Sequence, residues 1–358
     1  MSDTFESFEF EDGAWFERPG LRITTRGSRR TLLVPPGADQ LERVADAARG
    51  ALRPGELAIG AIGFTRTQQV LLTIPEETRI EPDPAPLPTP EERPIAAMRI
   101  EAFPSPDRYE AAVADALARI DAGVLDKVVL ARMLIVHGAH RFDRHRLLAV
   151  LAHREPTSYR FAVQGFIGAS PELLVSRHGA AVVSRPLAGT RPLARASELL
   201  ADPKDLAEHA FVADAVTEHL EPLLSELFVE GPSIVETASL AHLGTEVSGT
   251  LRDASTSVLD LVARLHPTPA IAGIPVDAAL AAISELEGFD RSLYAGAVGW
   301  IDANGDGEWA LALRCAEVRG RIASLFAGAG IVAGSDPVRE RVETDAKFEP
   351  MRSALERC

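Results

Sequence analysis

The run Asp302-Ala303-Asn304-Gly305-Asp306-Gly307 separates two strand-like stretches, Leu293 to Ile301 and Glu308 to Val318. Turn residues between two extended stretches join them as an antiparallel hairpin, which fixes much of what the chain can fold into. Asp-x-Asn-x-Asp-Gly also opens a calcium loop. The twelfth position should then be a bidentate glutamate; it is Leu313, and the residues around it alternate as a strand, so that reading is rejected. Further strands are expected at 31–34, 58–62, Lys127 to Val136, Tyr159 to Ile167, Leu173 to Arg177 and Arg321 to Phe326. Helices are expected from Gln40 to Leu52, from Ser105-Pro106 to Ala122, from Asp143 to His153, and from Asp202 to about Leu227. A last helix opens at Asp336-Pro337, and Pro350 is expected to kink it. Helices set between hairpin-linked strands give α+β layers, not a regular βαβ alternation.

With 358 residues, 46% of them hydrophobic, the chain can build a sizeable core. A net charge of −15 argues against a nucleic-acid or anionic-membrane partner, since both need a positive footprint. It does not argue against a small anionic substrate, which responds to local charge. The start, Met1-Ser2-Asp3-Thr4-Phe5-Glu6, is acidic and lacks the apolar core of a signal peptide, and there is no apolar run long enough for a bilayer. Cys315 and Cys358 form neither a metal spacing nor a disulfide framework, so a reducing cytoplasm is the expected compartment. Residues 81–94 are proline-rich and acidic, as in a linker or surface crossing.

Several polar residues stand where they need an explanation. Lys127 starts an apolar strand; it is either solvated or held in a dry site, where an amine more readily takes a proton from water. Glu172 follows Pro171 in a strand-like stretch, where proline marks an edge or a bulge. It is an exposed edge carboxylate or a general acid. Glu208 shares a helix row with Val212, Val216 and Leu220. A carboxylate in line with an apolar stripe is costly unless it is paired or metal-bound, and a salt-bridged core edge explains it nearly as well. Asp205 is accounted for by capping. Glu343 and Lys347 form an i, i+4 pair that would ordinarily be a surface salt bridge. Gly328-Ala329-Gly330 fails the dinucleotide fingerprint but fits a glycine turn that offers amides to a carboxylate. Arg314 can bind a carboxylate bidentately, or be an ordinary strand arginine. Tyr294 reads as half-buried, and a lone histidine such as His242 is more often structural than catalytic.

Taken in order, Lys127-Val-Val-Leu-Ala-Arg132, Ser170-Pro-Glu-Leu-Leu174, Leu187-Ala-Gly-Thr-Arg191, Glu208-His209, Gly328-Ala-Gly330 and Glu343-Thr-Asp-Ala-Lys347 resemble the chorismate-utilising enzymes, and within them the isochorismate synthases. The resemblance covers roughly residues 100 to 352. It implies one large α/β sandwich of two packed antiparallel sheets covered by helices, with residues 1–95 its variable part and 96–358 its chorismate-binding catalytic part. It assigns Lys127 as base, Glu172 as acid, and Glu208 and Glu343 to Mg²⁺. Lys347, Gly189, Thr190, His242, Ala270, Tyr294, Arg314, Gly328 and Gly330 would then contact the substrate. Some relatives carry another acidic residue where Ala346 stands, so the ligand set here would be smaller. The implied reaction is Mg²⁺-dependent conversion of chorismate to isochorismate by a cytoplasmic monomer, serving siderophore or menaquinone synthesis. Relatives that use ammonia lack the lysine at position 127. A salicylate synthase, which goes on to eliminate pyruvate, is the alternative; Ala270 and its His266-Pro-Thr-Pro269 context favour stopping at isochorismate. A non-catalytic metabolite-binding protein is the remaining alternative.

Overall fold

The structure, a computed structural model, describes residues 13–91 and 97–358. The acidic stretch at residues 1–6 and the expected boundary at residue 95 lie outside them. The chain opens with β1 (Trp15–Arg18), β2 (Leu21–Arg26), β3 (Arg30–Val34), α1 (Gln40–Ala51), β4 (Leu57–Ile62), β5 (Val70–Ile74) and β6 (Glu77–Pro82). Next come β7 (Met98–Phe103), α2 (Pro106–Asp121), β8 (Lys127–Gly138), α3 (Arg144–Arg154), β9 (Tyr159–Val163) and β10 (Phe166–Ser170). Then follow β11 (Leu173–His178), β12 (Ala181–Arg185), β13 (Leu187–Pro192), α4 (Pro203–Leu220), β14 (Leu224–Glu236) and β15 (Leu240–Leu251). After α5 (Val258–Leu265), β16 (Gly273–Ile274) and α6 (Val276–Leu286), the chain closes with β17 (Ala297–Asp302), β18 (Gly307–Leu311), β19 (Cys315–Arg319), β20 (Ile322–Val332) and α7 (Pro337–Leu355).

The strands form two antiparallel sheets, as the α+β expectation requires. One runs β16-β8-β20-β19-β10-β9-β1-β2-β6, with β7 beside β8. The other runs β13-β15-β12-β11-β18-β17-β4-β5-β3, with β14 beside β15. Their shared core contains Phe16, Val128, Leu130 and Phe161 from the first sheet and Ile59, Leu173, Val175 and Val298 from the second. A second cluster joins the first sheet to α3 and α7 through Leu147, Leu148, Leu151, Phe348 and Met351. Each such side chain contributes roughly 1.5–3 kcal/mol on burial.

The β17–β18 hairpin closes as expected, with Asp302 Oδ1 accepting from the amides of Asn304 at 2.8 Å and Asp306 at 2.9 Å. Several local expectations give way. The stretch 293–296 is a turn, with Ala295 at φ +59°, so β17 starts at Ala297. Tyr159 to Ile167 is two strands reversed at Gln164-Gly165, both at positive φ. The helix from Asp202 stops at Leu220, because Pro222 has no N–H for another turn, and Leu224 starts β14 instead. β14 and β15 then pair along their length as a long hairpin, which begins where the sequence suggested a continuing helix. Asp202 caps its helix through the Lys204 amide at 2.9 Å, but Asp205 bonds Arg191 Nε at 2.7 Å rather than capping. Ser105 makes no side-chain capping bond. Gly328 and Gly330 do not form a turn; both lie inside β20, opposite Ala131 and Val129. Helix α7 runs through Pro350 from Pro337 to Leu355. Neither cysteine is in a disulfide.

Candidate active site

Pro171 is neither at an edge nor in a bulge. It sits with Glu172 where the chain leaves β10 of the first sheet and enters β11 of the second. The chain crosses back at 312–314, between β18 and β19. The two crossings lie side by side: the Leu311 amide donates to the Glu172 carbonyl at 3.1 Å, and the Ala169 amide to the Arg314 carbonyl at 3.3 Å. Proline suits the first crossing because it need not donate to a ladder. In the second, Arg314 adopts φ +47°, a left-handed conformation that costs a non-glycine residue about 1–3 kcal/mol. Strain of this size is retained where it aims a side chain.

Both crossings open onto a cleft with about 710 Å³ of empty space, part of it open to solvent. Its walls include Lys127 of β8, Glu208 of α4, Gly328 and Gly330 of β20, and Lys347 of α7. Glu172, Gly189, Thr190, His242, Ala270, Tyr294 and Arg314 also line it, so that every expected site residue but Glu343 faces the cleft. Val129, Leu187, Ile271, Leu313 and Phe326 add apolar surface. Glu343 is not among the lining residues; it is tied to the cleft by Lys347, whose Nζ lies 2.7 Å from Glu343 Oε1 and donates to the Gly328 carbonyl at 2.9 Å.

Lys127 is 1% exposed, so the solvated reading fails. Its Nζ lies 3.3 Å from Glu208 Oε1, which explains how a carboxylate can stand in line with the apolar stripe of α4. Glu172 is also buried. Loss of solvent pushes its carboxyl up to about 7, against the Leu187 amide that donates to Oε1 at 3.2 Å and the charges of Lys127, Lys347 and Arg314. His242 is driven the other way, down to about 3, by burial and by the cations Arg314 and Lys347. It is therefore a neutral imidazole. Nδ1–H donates to the Gly189 carbonyl at 3.1 Å, beside Thr190 Oγ1, and Nε2 accepts from Arg314 Nη2 at 3.4 Å. Gly189 takes φ +67°, which few other residues would accept. Burial also raises the Tyr294 phenol, which stacks on Phe326 with centroids 5.2 Å apart.

Three buried charged residues are not evident from the sequence. Glu340, one turn before Glu343, is paired with Lys204 Nζ at 3.1 Å, and its carboxyl is raised by burial and by the Glu343 charge. Its i, i+3 spacing to Glu343 was the available signal. Glu287 and Arg291 form a buried ion pair at 2.5 Å; Arg291, which itself lines the cleft, also donates to the Val129 and Ile271 carbonyls at 2.7 and 2.9 Å. Their i, i+4 spacing looks like any surface pair.

A family model described as chorismate binding enzyme matches residues 67–356. The chain belongs to the chorismate-binding enzymes. Isochorismate synthase DhbC of Bacillus subtilis (strain 168) is 40% identical over 377 residues, spanning 97% of this chain and 94% of its own. Isochorismate synthase EntC of Escherichia coli (strain K12) is 38% identical over 322 residues, spanning 85% and 82%. The crystal structure of a putative 2,3-dihydroxybenzoate-specific isochorismate synthase, DhbC from Bacillus anthracis, aligns with a TM-score of 0.91 at 40% identity over 98% of both chains. As a chorismate-binding enzyme the chain acts on a small molecule, and among the described residues no helix is long and apolar enough to cross a membrane.

Proposed function

We propose that this chain is an isochorismate synthase whose chemistry is carried by Lys127 and Glu172. The observation that carries the reading is one cleft holding a fully buried lysine together with a buried carboxyl pushed up to about 7. Lys127 takes a proton from the water that forms the new bond to C2 of the chorismate ring. Both ring double bonds shift, C1=C2 to C1=C6 and C5=C6 to C4=C5, and the C4–O bond breaks. Glu172, half protonated near pH 7, gives its proton to the departing C4 hydroxyl, which leaves as water. The Leu187 amide occupies Oε1, leaving Oε2 to carry that proton. Arg314 and Lys347 supply the local positive charge that a dianionic substrate needs in a chain of net charge −15. His242 supports Arg314 as an acceptor and takes no part in proton transfer.

Glu208 and Glu343 would hold Mg²⁺. Among the described residues no three His, Cys, Asp or Glu side chains gather into a ready-made cage. Mg²⁺ suits a sparser donor set, since it takes one or two carboxylates, keeps several waters and accepts a substrate oxygen. Bound there, it would supply positive charge that positions and screens a substrate carboxylate. Every proposed site residue lies beyond residue 95, which supports reading 1–95 as the variable part of the sandwich and 96–358 as the catalytic part. The reading makes the protein a cytoplasmic monomer acting on chorismate, with no nucleic-acid or membrane partner.

The test is product analysis by chromatography and mass spectrometry after incubation with chorismate, with and without Mg²⁺, beside Lys127→Ala and Glu172→Gln. Mg²⁺-dependent isochorismate, absent in both variants, is expected. Pyruvate and salicylate in equal amounts would make the enzyme a salicylate synthase, and unchanged chorismate would leave a binding protein.

A further inference from the structure

Helix α7 carries Glu343 and Lys347, yet its apolar pattern does not determine which face docks. Between Pro337 and Lys347 its buried side chains are Glu340 and Thr344, both polar, while Val338 and Val342 are 50% and 53% exposed. Apolar burial resumes at Phe348 and Met351. The rotation of the first three turns therefore depends on polar contacts. Lys204 holds Glu340, and Lys347 reaches the Gly328 carbonyl. The third contact comes from Arg132 on β8. Its Nη1 donates to Thr344 Oγ1 at 2.9 Å and to Asp345 Oδ1 at 2.8 Å.

Arg132 is built in tightly. It is 2% exposed, and its guanidinium lies 5.5 Å from the Tyr109 ring and 5.9 Å from the Phe348 ring. The Tyr109 hydroxyl in turn donates to the Leu130 carbonyl of β8 at 3.1 Å. Asp345 passes the contact on to Arg341 at 2.7 Å, and Arg341 to Glu110 of α2 at 2.7 Å. Thr344 and Phe348 form one row of the helix, and Glu343 and Lys347 form the adjacent row, one residue's rotation away. Fixing the first row against β8 aims the second at the cleft. Lys127 is on the same strand as Arg132, so a single strand supplies the base and orients the helix bearing the carboxylate and the lysine.

We propose that Arg132 is a positioning residue that sets the rotation of α7, and so the placement of Glu343 and Lys347. The proposal rests on the site reading above. A lysine at 132 would keep the charge but lose the planar guanidinium that lies against the Tyr109 and Phe348 rings, and a methionine would keep the bulk but lose both.

The test compares Arg132→Lys, Arg132→Met, Thr344→Val and Asp345→Asn with the unaltered protein. Binding of Mn²⁺, used as a paramagnetic stand-in for Mg²⁺, is followed by electron paramagnetic resonance, and chorismate KM, kcat and Tm are measured on the same preparations. Arg132→Met is expected to weaken Mn²⁺ binding about tenfold or more and to raise the chorismate KM, with Arg132→Lys recovering part of both. Thr344→Val, a smaller change, keeps the fold testable if Arg132→Met does not fold, and is expected to shift both in the same direction. Folded variants that lose Tm but keep Mn²⁺ affinity and KM within twofold of the unaltered protein overturn the proposal and leave Arg132 a stability anchor. An unaltered protein that binds no Mn²⁺ and converts no chorismate overturns the site reading instead, and the proposal with it.

Discussion

Lys127 Nζ and Glu208 Oε1 meet at 3.3 Å across Gly330, and the absence of a side chain there is what leaves them room. A Cβ on Gly330 would stand 2.3 Å from Glu208 Oε1 and 3.1 Å from Lys127 Cε. The glycines of β20 thus serve close approach, not a turn.

Gly330→Ala follows directly. The nearest clash is with the tip of a flexible side chain, so the fold should tolerate it at a cost of about 1 kcal/mol, while Glu208 is displaced. Misplacement of that size in an active site costs on the order of a hundredfold in rate. A thermal melt close to that of the unaltered protein, beside a turnover assay reduced to that extent, is the expected pair of results.

Glu172 sets the pH dependence. As an acid it must be protonated, so kcat should fall about tenfold per pH unit above about 7. Stability changes in the same range. A carboxyl raised in the folded state favours folding fully below its ordinary value near 4.5, and that contribution is lost as pH rises through 7. The difference is worth on the order of 3 kcal/mol at most. Glu172→Gln should therefore be inactive yet more stable than the unaltered protein at pH 8, with the gap closing toward pH 4; denaturant melts at the two pH values check this.

The metal prediction separates three glutamates. Chelation should abolish turnover, and added Mg²⁺ should restore it. Glu208→Gln and Glu343→Gln should not be restored at any accessible Mg²⁺ concentration. Glu340→Gln should raise the Mg²⁺ needed for half-maximal activity about tenfold, as expected of a supporting group.

For His242, pushed down to about 3, no acidic limb of the activity profile above pH 5 should belong to it. His242→Leu removes the acceptor of Arg314, so chorismate KM should rise about tenfold, near the value of one hydrogen bond to a charged group, with the shape of the pH profile unchanged. Steady-state kinetics from pH 5 to 9 would show whether a limb disappears.

Much of the site was readable from sequence because its residues sit in short runs with fixed roles. Lys127, Glu172, His242, Arg314 and the two glycines of β20 all come to one cleft. The roles of the flanking residues were less visible. Arg132 and Glu287 look like ordinary charges until the fold brings Thr344 to the first and the Ala131 amide to the second, 212 and 156 positions away in sequence. The fold was legible where a turn is marked by its own residues, as at Asp302–Gly307. It was not legible where an apolar stretch suits both helix and strand, as after Leu220, where Pro222 alone separates the two. Pro171 signalled a break in pairing, but not that the chain changes sheets there, since that depends on β18 and β19 crossing beside it.

The most direct test of the central claim, that Lys127 delivers solvent to the ring, is conversion of chorismate in H₂¹⁸O with early sampling and mass spectrometry. The account predicts isochorismate heavier by one ¹⁸O, with the label at C2, and no labelled product from Lys127→Ala. Unlabelled isochorismate would contradict it, because the hydroxyl would then have moved within the substrate without water from the cleft.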